Sequence, residues 1–141
     1  MTALEPILQK LGGTAAAPEL RNGVLWIDPG ANGVRAVATA MKEGGARFIT
    51  ITAYQLPSNE GFRLEYHWDL NGQLLGVPFA TAPGPNGTAI DSIFDISEAV
   101  IWIEREIHEQ YIIAFTGRPY EPLLLKPGAK LGVNLREEVT K

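Results

Sequence analysis

The sequence of 141 residues contains no cysteine and only two histidines, His67 and His108. Without a thiol, the chain can form no disulfide and cannot hold zinc or an iron–sulfur cluster through thiolates. The two histidines stand singly, so neither has a second imidazole at the spacing of a metal site. We therefore predict that the isolated chain binds no metal and no cofactor, and that any redox chemistry beside it uses a cofactor held by another protein.

An excess of basic charge and long apolar runs are also missing. With 12 basic and 16 acidic residues, the net charge is -4, which is not the electrostatic signature of a nucleic-acid-binding domain. No apolar run reaches the roughly 20 residues that span a bilayer, and Glu5 and Lys10 interrupt the N-terminal apolar pattern, which argues against a signal peptide. We expect a cytoplasmic protein without a membrane span of its own, which could still lie on a membrane complex through a partner.

The order of elements predicts one α/β (α+β) domain at residues 1–120, with a mixed, mostly antiparallel sheet and helices packed on it. In the segment 62–70, FRLEYHWDL, apolar and polar residues alternate as in a half-buried strand. Asn71-Gly72 favours a type I′ hairpin, and Pro78 in the returning strand indicates an edge or a bulge. Helices are predicted at 4–11, 34–42 and 96–111, further strands at 24–28, 47–55 and 74–81, a loop at 82–87, and an extended, proline-punctuated C-terminal arm at 121–141.

The predicted helix 96–111 carries most of the candidate chemistry. Asp95 followed by Glu98 is typical of a capping box at its start. At about 100° per residue, an apolar stripe forms a core face of Ile96, Ala99, Val100, Ile103, Ile107 and Tyr111. The opposite side holds Glu98, Ile101, Trp102, Arg105, His108 and Glu109.

Metal and carboxylate sites on this helix each lack an essential group. His108-Glu109 begins a zinc-protease pattern, but Ile112 stands where its second histidine belongs. A di-iron Glu-x-x-His pair fails because Arg105 precedes His108 by three residues. The carboxylates of Glu104, Glu106 and Glu109 point in different directions around the helix, which favours a charged helix surface over a paired-carboxylate active site. A stand-alone metal-dependent enzyme that uses His67, His108 and nearby carboxylates remains the alternative hypothesis.

Trp102 and Ile101 are large apolar residues on the side opposite the core stripe. A helix that is apolar on two sides is usually buried on two sides. Either this domain wraps around the helix, or another protein covers it.

One motif resembles a known family. Ala99, Trp102, Glu104-Arg105-Glu106, Glu109, Tyr111, Phe115, Gly117 and Pro119 are similar to the signature A-x-x-W-x-E-R-E-x-x-[DE]-x-[FY]-G-[IV]-x-F-x-G-[HN]-P of the C-subunit family of respiratory complex I, the NADH-quinone oxidoreductase. The specific resemblance covers residues 95–125. The segments EREIHE and YHWDLNGQL resemble the related small subunit of membrane-bound [NiFe] hydrogenases more than the quinone-reducing branch. Three positions depart from the signature: Ile112 replaces a glycine, Arg118 replaces histidine or asparagine, and Pro122-Leu123 replaces a basic pair.

The resemblance implies a structural subunit with no catalytic residue and no cofactor. It would brace the large subunit that holds the nickel–iron centre or the quinone site, beside iron–sulfur subunits on the cytoplasmic side of the membrane. The helix would then be a partner surface, and we expect Glu104 or Glu106 to pair with Arg105, Arg118 or a basic residue of the partner. The residues predicted at this interface are Trp102, Glu104, Arg105, Glu106, Glu109, Phe115, Arg118 and Pro119.

Overall fold

The computed structural model describes residues 3–12, 17–57, 60–81 and 88–118. The predicted loop at 82–87, the arm at 121–141 and the site residue Pro119 lie outside these ranges. The helices are α1 (Glu5–Lys10), α2 (Val34–Glu43) and α3 (Ile101–Tyr111). The strands are β1 (Glu19–Arg21), β2 (Val24–Trp26), β3 (Arg47–Gln55), β4 (Phe62–Leu70), β5 (Gln73–Thr81), β6 (Thr88–Asp91) and β7 (Ile113–Thr116).

Five strands form a mixed sheet in the order β1-β2-β5-β4-β3. The pairs β1–β2, β5–β4 and β4–β3 are antiparallel, and only β2–β5 is parallel. Strands β6 and β7 pair in parallel as a separate two-stranded sheet. The predicted fold class, a mostly antiparallel mixed sheet with helices packed on it, is confirmed.

Strand β4 is the centre of the core. Every second side chain from Phe62 to Leu70 is buried, and those between are half-buried, because successive residues of a strand point to opposite faces. The turn that follows has positive φ angles at Asn71 (52°) and Gly72 (91°), as a type I′ hairpin requires. Pro78 lies past the residues of β5 that pair with β2, whose partners are Leu74, Leu75 and Gly76. The missing amide of Pro78 therefore interrupts no pairing with β2, although β5 lies between β2 and β4 in the sheet and is not an edge strand.

The first two predicted helices are present, and each buries an apolar face. In α2, Val34, Val37, Ala38 and Met41 are buried, and in α1 the side chain of Ile7 is fully buried. The turn DPGANG before α2 is held by hydrogen bonds within the turn. The amide of Gly30 donates to Asp28 Oδ1 (2.8 Å), and the side-chain amide of Asn32 donates to Pro29 O (2.9 Å). No helix in the described ranges is long and apolar enough to cross a membrane.

The start of the third helix differs from the prediction. A 3-10 turn at Glu98–Val100 precedes α3, and Ser97, its N-cap, makes no side-chain capping bond. The predicted capping box of Asp95 and Glu98 is wrong because Asp95 is engaged elsewhere. Its two carboxylate oxygens accept hydrogen bonds from Arg35 of α2 at 2.8 and 2.7 Å.

Candidate functional site

The charged motif lies on α3, which packs against the edge strand β3 and against β7. The buried residues of α3 are Glu104, Ile107 and Glu109. The 3-10 turn beside it contributes the fully buried Val100. Two of the three carboxylates in the motif therefore belong to the interior of the domain.

Glu104 is 1% exposed and lies at the centre of a hydrogen-bonded network. Its Oε1 accepts from Ser92 Oγ (2.5 Å) and Arg118 Nη1 (3.2 Å), and its Oε2 accepts from the backbone amide of Ile93 (3.0 Å). Ser92 and Ile93 follow β6, whereas Arg118 follows β7. One carboxylate therefore joins α3 to the ends of both strands of the smaller sheet.

Burial raises the pKa of Glu104 above its ordinary value, because it removes water from the charged carboxylate. The hydrogen bonds from Ser92 and the Ile93 amide, and the hydrogen bond and charge of Arg118, act in the opposite direction by stabilising the ionised form. A buried carboxylate needs such partners, since a buried charge is costly unless it is paired and hydrogen-bonded.

Arg118 supplies the positive charge of this network. Its side chain is 8% exposed, its Nη1 also lies 3.4 Å from the carbonyl of Ile101, and its guanidinium stands 5.5 Å from the ring centre of Phe94. Of the pairings expected for Glu104 or Glu106, the structure contains the one between Glu104 and Arg118. Arg118, which stands where the family signature has histidine or asparagine, thus provides the ion-pair partner of the buried carboxylate.

The helix wheel placed Glu109 on the side opposite the core stripe, yet the domain itself buries this side chain, which is only 1% exposed. The wheel also assigned the charged residues, Glu104 among them, to a helix surface. A wheel gives only the direction of each side chain around the helix, so it does not anticipate a carboxylate that is buried with polar partners from other segments. Phe115, on β7, is also buried at 7% exposure and belongs to the core.

Trp102 is the most exposed large apolar side chain among the described residues, at 65%. The Arg105 guanidinium lies 5.0 Å from the centre of the Trp102 ring, within the range of a cation–π contact, and Glu106 beside it is exposed. We call Trp102, Arg105 and Glu106 the Trp102 surface. The described part of the domain does not wrap Trp102, and a contact between this surface and a partner stays a prediction.

The chain leaves α3 through a conformation that its sequence disfavours. Ile112, where the family signature has glycine, has a φ of 60° and closes the helix in the left-handed region. That region is unfavourable for a β-branched residue. Ile112 therefore holds a backbone conformation that suits glycine better than isoleucine.

The two histidines have separate surroundings. His67 lies on β4 with Nδ1 buried and without a partner among the described residues, and its ring contacts Trp26 edge-on at 5.6 Å. His108 Nδ1 lies 3.0 Å from the carbonyl of Ile113. Within the described ranges, no three His, Asp or Glu side chains are grouped so that they could hold a metal ion.

Sequence reasoning missed two contacts that organise the site. Ser92 and Arg35 carried no recognisable signal, because their partners Glu104 and Asp95 lie 12 and 60 residues away. The hydrogen bonds from Arg35 lower the pKa of Asp95 to about 2. A comparison of related sequences, in which paired positions change together, is the signal that could have revealed such contacts.

A known protein family and a known relative each match most of the chain. The family described as the 30 Kd subunit of the respiratory-chain NADH dehydrogenase matches residues 27–140. The C subunit of NADH-quinone oxidoreductase from Sinorhizobium medicae (strain WSM419) is 28% identical over 118 residues, which are 80% of this chain and 58% of that protein. The chain thus spans little more than half the length of this relative.

Two solved structures share the fold. A chain of the membrane-bound sulfane sulfur reductase, an archaeal respiratory membrane complex, superposes with a TM-score of 0.71 at 23% identity, over 88% of this chain and 78% of that one. A trypsin-resistant fragment of Nqo5 superposes with a TM-score of 0.64 at 19% identity, over 83% of this chain and 98% of the fragment.

Proposed function

The chain belongs to the family of the respiratory-chain NADH dehydrogenase 30 Kd subunit, and from this premise we propose that it is a non-catalytic subunit of a membrane-bound oxidoreductase complex. It braces the large subunit of a complex I-like [NiFe] hydrogenase or NADH:quinone oxidoreductase, on the cytoplasmic side of the membrane. Its partners would be that large subunit, with its nickel–iron or quinone site, and the neighbouring iron–sulfur subunits.

One observation carries the bracing role: the motif on α3 divides into a buried half and an exposed half. The buried half is the network around Glu104, which fixes α3 to the ends of β6 and β7. The exposed half is the Trp102 surface, where an aromatic ring is 65% exposed. A rigidly held helix that presents an exposed tryptophan beside charged side chains is suited to docking, because tryptophan and arginine dominate the binding energy of protein interfaces.

The test is assembly of the Trp102→Ala variant with the large subunit in co-purification from cells. We expect the loss of about 2 kcal/mol of binding energy, roughly a 30-fold weaker complex, because a buried tryptophan anchor contributes that much or more. Leu20→Ala is the matched control, since Leu20 on β1 is exposed to the same extent, at 64%. Thermal melting of both free variants should match the wild type.

Two results would contradict the assignment of this surface. Normal assembly of Trp102→Ala would place the partner elsewhere on the domain. Unfolding of the free variant would show that Trp102 stabilises the domain itself, although its side chain lies largely in solvent.

A further inference from the structure

Unpaired negative charge lies on both sides of the exposed Trp102. Glu98, in the 3-10 turn, lies one turn before it, and Glu106 follows it by four residues, which is the spacing of neighbours on a helix surface. Both carboxylates are exposed, and neither belongs to an ion pair among the described residues. By contrast, the exposed carboxylates of Glu43 and Asp95 are each paired with a basic side chain. The two glutamates beside Trp102 are therefore available to a partner.

The ring of Trp102 has one covered face and one open face. The guanidinium of Arg105 lies 5.0 Å from the ring centre, yet the side chain is 65% exposed, and an exposure this large leaves the other face open. Ala99, three residues earlier, is small and exposed, so the preceding turn leaves room beside the ring. An aromatic face with carboxylates near it suits a cation, because the ring and the carboxylates both attract positive charge.

We infer that the large subunit places a basic side chain, an arginine or a lysine, on the open face of Trp102, where the carboxylates of Glu98 and Glu106 bind it. This inference rests on the proposed function, which supplies the large subunit, and it adds the chemistry of the contact. Arginine fits best, because its planar guanidinium stacks on an aromatic ring and presents N–H donors to carboxylates at its edge. Trp102 then supplies contact area, and the two glutamates select a basic partner.

Two other occupants of this surface fit less well. An apolar side chain of a partner could cover the ring, but it would remove water from two carboxylates without pairing them, and such burial is costly. A twofold contact between two copies of this chain would bring together surfaces of the same net charge, since Glu98 and Glu106 outnumber Arg105 on each, and the juxtaposition of like charges is unfavourable. The charges therefore favour a basic group of another protein.

Competition for assembly tests this inference in the complex itself. The Glu98→Gln/Glu106→Gln chain is co-expressed with the wild type, and mass spectrometry measures their ratio in the complex purified through the large subunit, relative to their ratio in the cell. We expect the variant to be about tenfold under-represented, because it forfeits charged pairs at the interface. Glu5→Gln/Glu60→Gln makes the same charge change at two exposed positions of other segments and should assemble equally with the wild type. Equal assembly of the Glu98→Gln/Glu106→Gln chain would overturn the inference.

Charge reversal gives the sign of the partner's charge. Glu106→Lys should be excluded from the complex about tenfold more strongly than Glu106→Gln, because like charges repel across an interface, and added salt should reduce the difference. Thermal melting of both free variants should match the wild type, since Glu106 is exposed. A Glu106→Lys chain that assembles better than the wild type would indicate an acidic partner and would overturn the inference.

Hydroxyl-radical oxidation of Trp102 separates the remaining occupants. We expect the ring to be oxidised in the free chain at every concentration and protected in the complex. Protection in the free chain that is lost on dilution would indicate a second copy, and protection at every concentration would indicate the chain's own residues 119–141; either result would overturn the inference. Normal assembly of Trp102→Ala would refute the proposed docking surface and this inference together. Loss of assembly by Trp102→Ala, with normal assembly of Glu98→Gln/Glu106→Gln, would refute the inference alone.

Discussion

Replacing Glu104 by glutamine removes the charge of the buried network and keeps the size of the side chain. A carboxylate accepts on both oxygens, and in this network both are used: Oε1 by Ser92 and Arg118, and Oε2 by the Ile93 amide. A side-chain amide has one accepting oxygen. Its NH2 group must therefore face either Arg118 or the Ile93 amide, and both are donors only. The Ser92 hydroxyl can rotate to accept, so one donor-to-donor contact remains.

The structure gives the size of the effect. A buried donor left without an acceptor costs about 1–3 kcal/mol, and Arg118, 8% exposed, loses its ionic partner. We expect Glu104→Gln to lower the free energy of unfolding by about 2 kcal/mol and the melting temperature by roughly 8 °C. Glu104→Ala should cost about 3–5 kcal/mol, because it leaves Arg118 buried and unpaired.

Urea unfolding at pH 7, followed by tryptophan fluorescence, measures these differences. Glu106→Gln is the matched control on the same helix, and it should lie within about 0.5 kcal/mol of the wild type because Glu106 is exposed. The double variant Glu104→Gln/Arg118→Gln should be more stable than the sum of the single changes predicts, since the two side chains interact directly. A Glu104→Gln chain as stable as the wild type would refute the assignment of this network as the brace of α3.

Two further predictions concern the edges of the site. Arg35 lowers the pKa of Asp95 to about 2 from an ordinary 3.8, so the pair stabilises the fold fully above about pH 4 and loses this contribution as the pH falls through 2. Urea unfolding of Arg35→Gln at several pH values should show no such loss of stability. A variant with the same dependence of stability on pH as the wild type would contradict this prediction. Ile112→Gly should raise the free energy of unfolding by about 0.5–1 kcal/mol, because glycine adopts the left-handed backbone conformation without strain, whereas Ile112→Ala should not raise it. If Ile112→Gly is no more stable than the wild type, the backbone at this position is not strained.

The strands were predictable where a local pattern determines them. The alternation of residues 62–70 and the Asn71-Gly72 pair define β4 and its turn without information from the rest of the chain. The insertion of β2 beside β5 was not predictable, because parallel pairing of segments 50 residues apart, such as Val24 with Leu74, leaves no local trace. Local pattern therefore determines the elements, and long-range packing determines their order in the sheet.

The candidate site was predictable only in part. The position of Trp102 opposite the core stripe follows from helix geometry. The burial of Glu104 does not, because it depends on Ser92 and Arg118, which reach the carboxylate from two other segments. The start of the helix was misplaced for the same reason, since the pairing of Asp95 with Arg35 competes with capping.

The central claim is that this chain is an accessory subunit of a membrane oxidoreductase complex. Its most direct test is purification of the tagged wild-type chain from its native membranes in mild detergent, with identification of every co-purifying protein by mass spectrometry. We predict a stable complex that contains a hydrogenase-type or quinone-reductase-type large subunit together with iron–sulfur subunits. Recovery of the chain by itself, as a soluble protein with stoichiometric metal and an activity of its own, would contradict the claim.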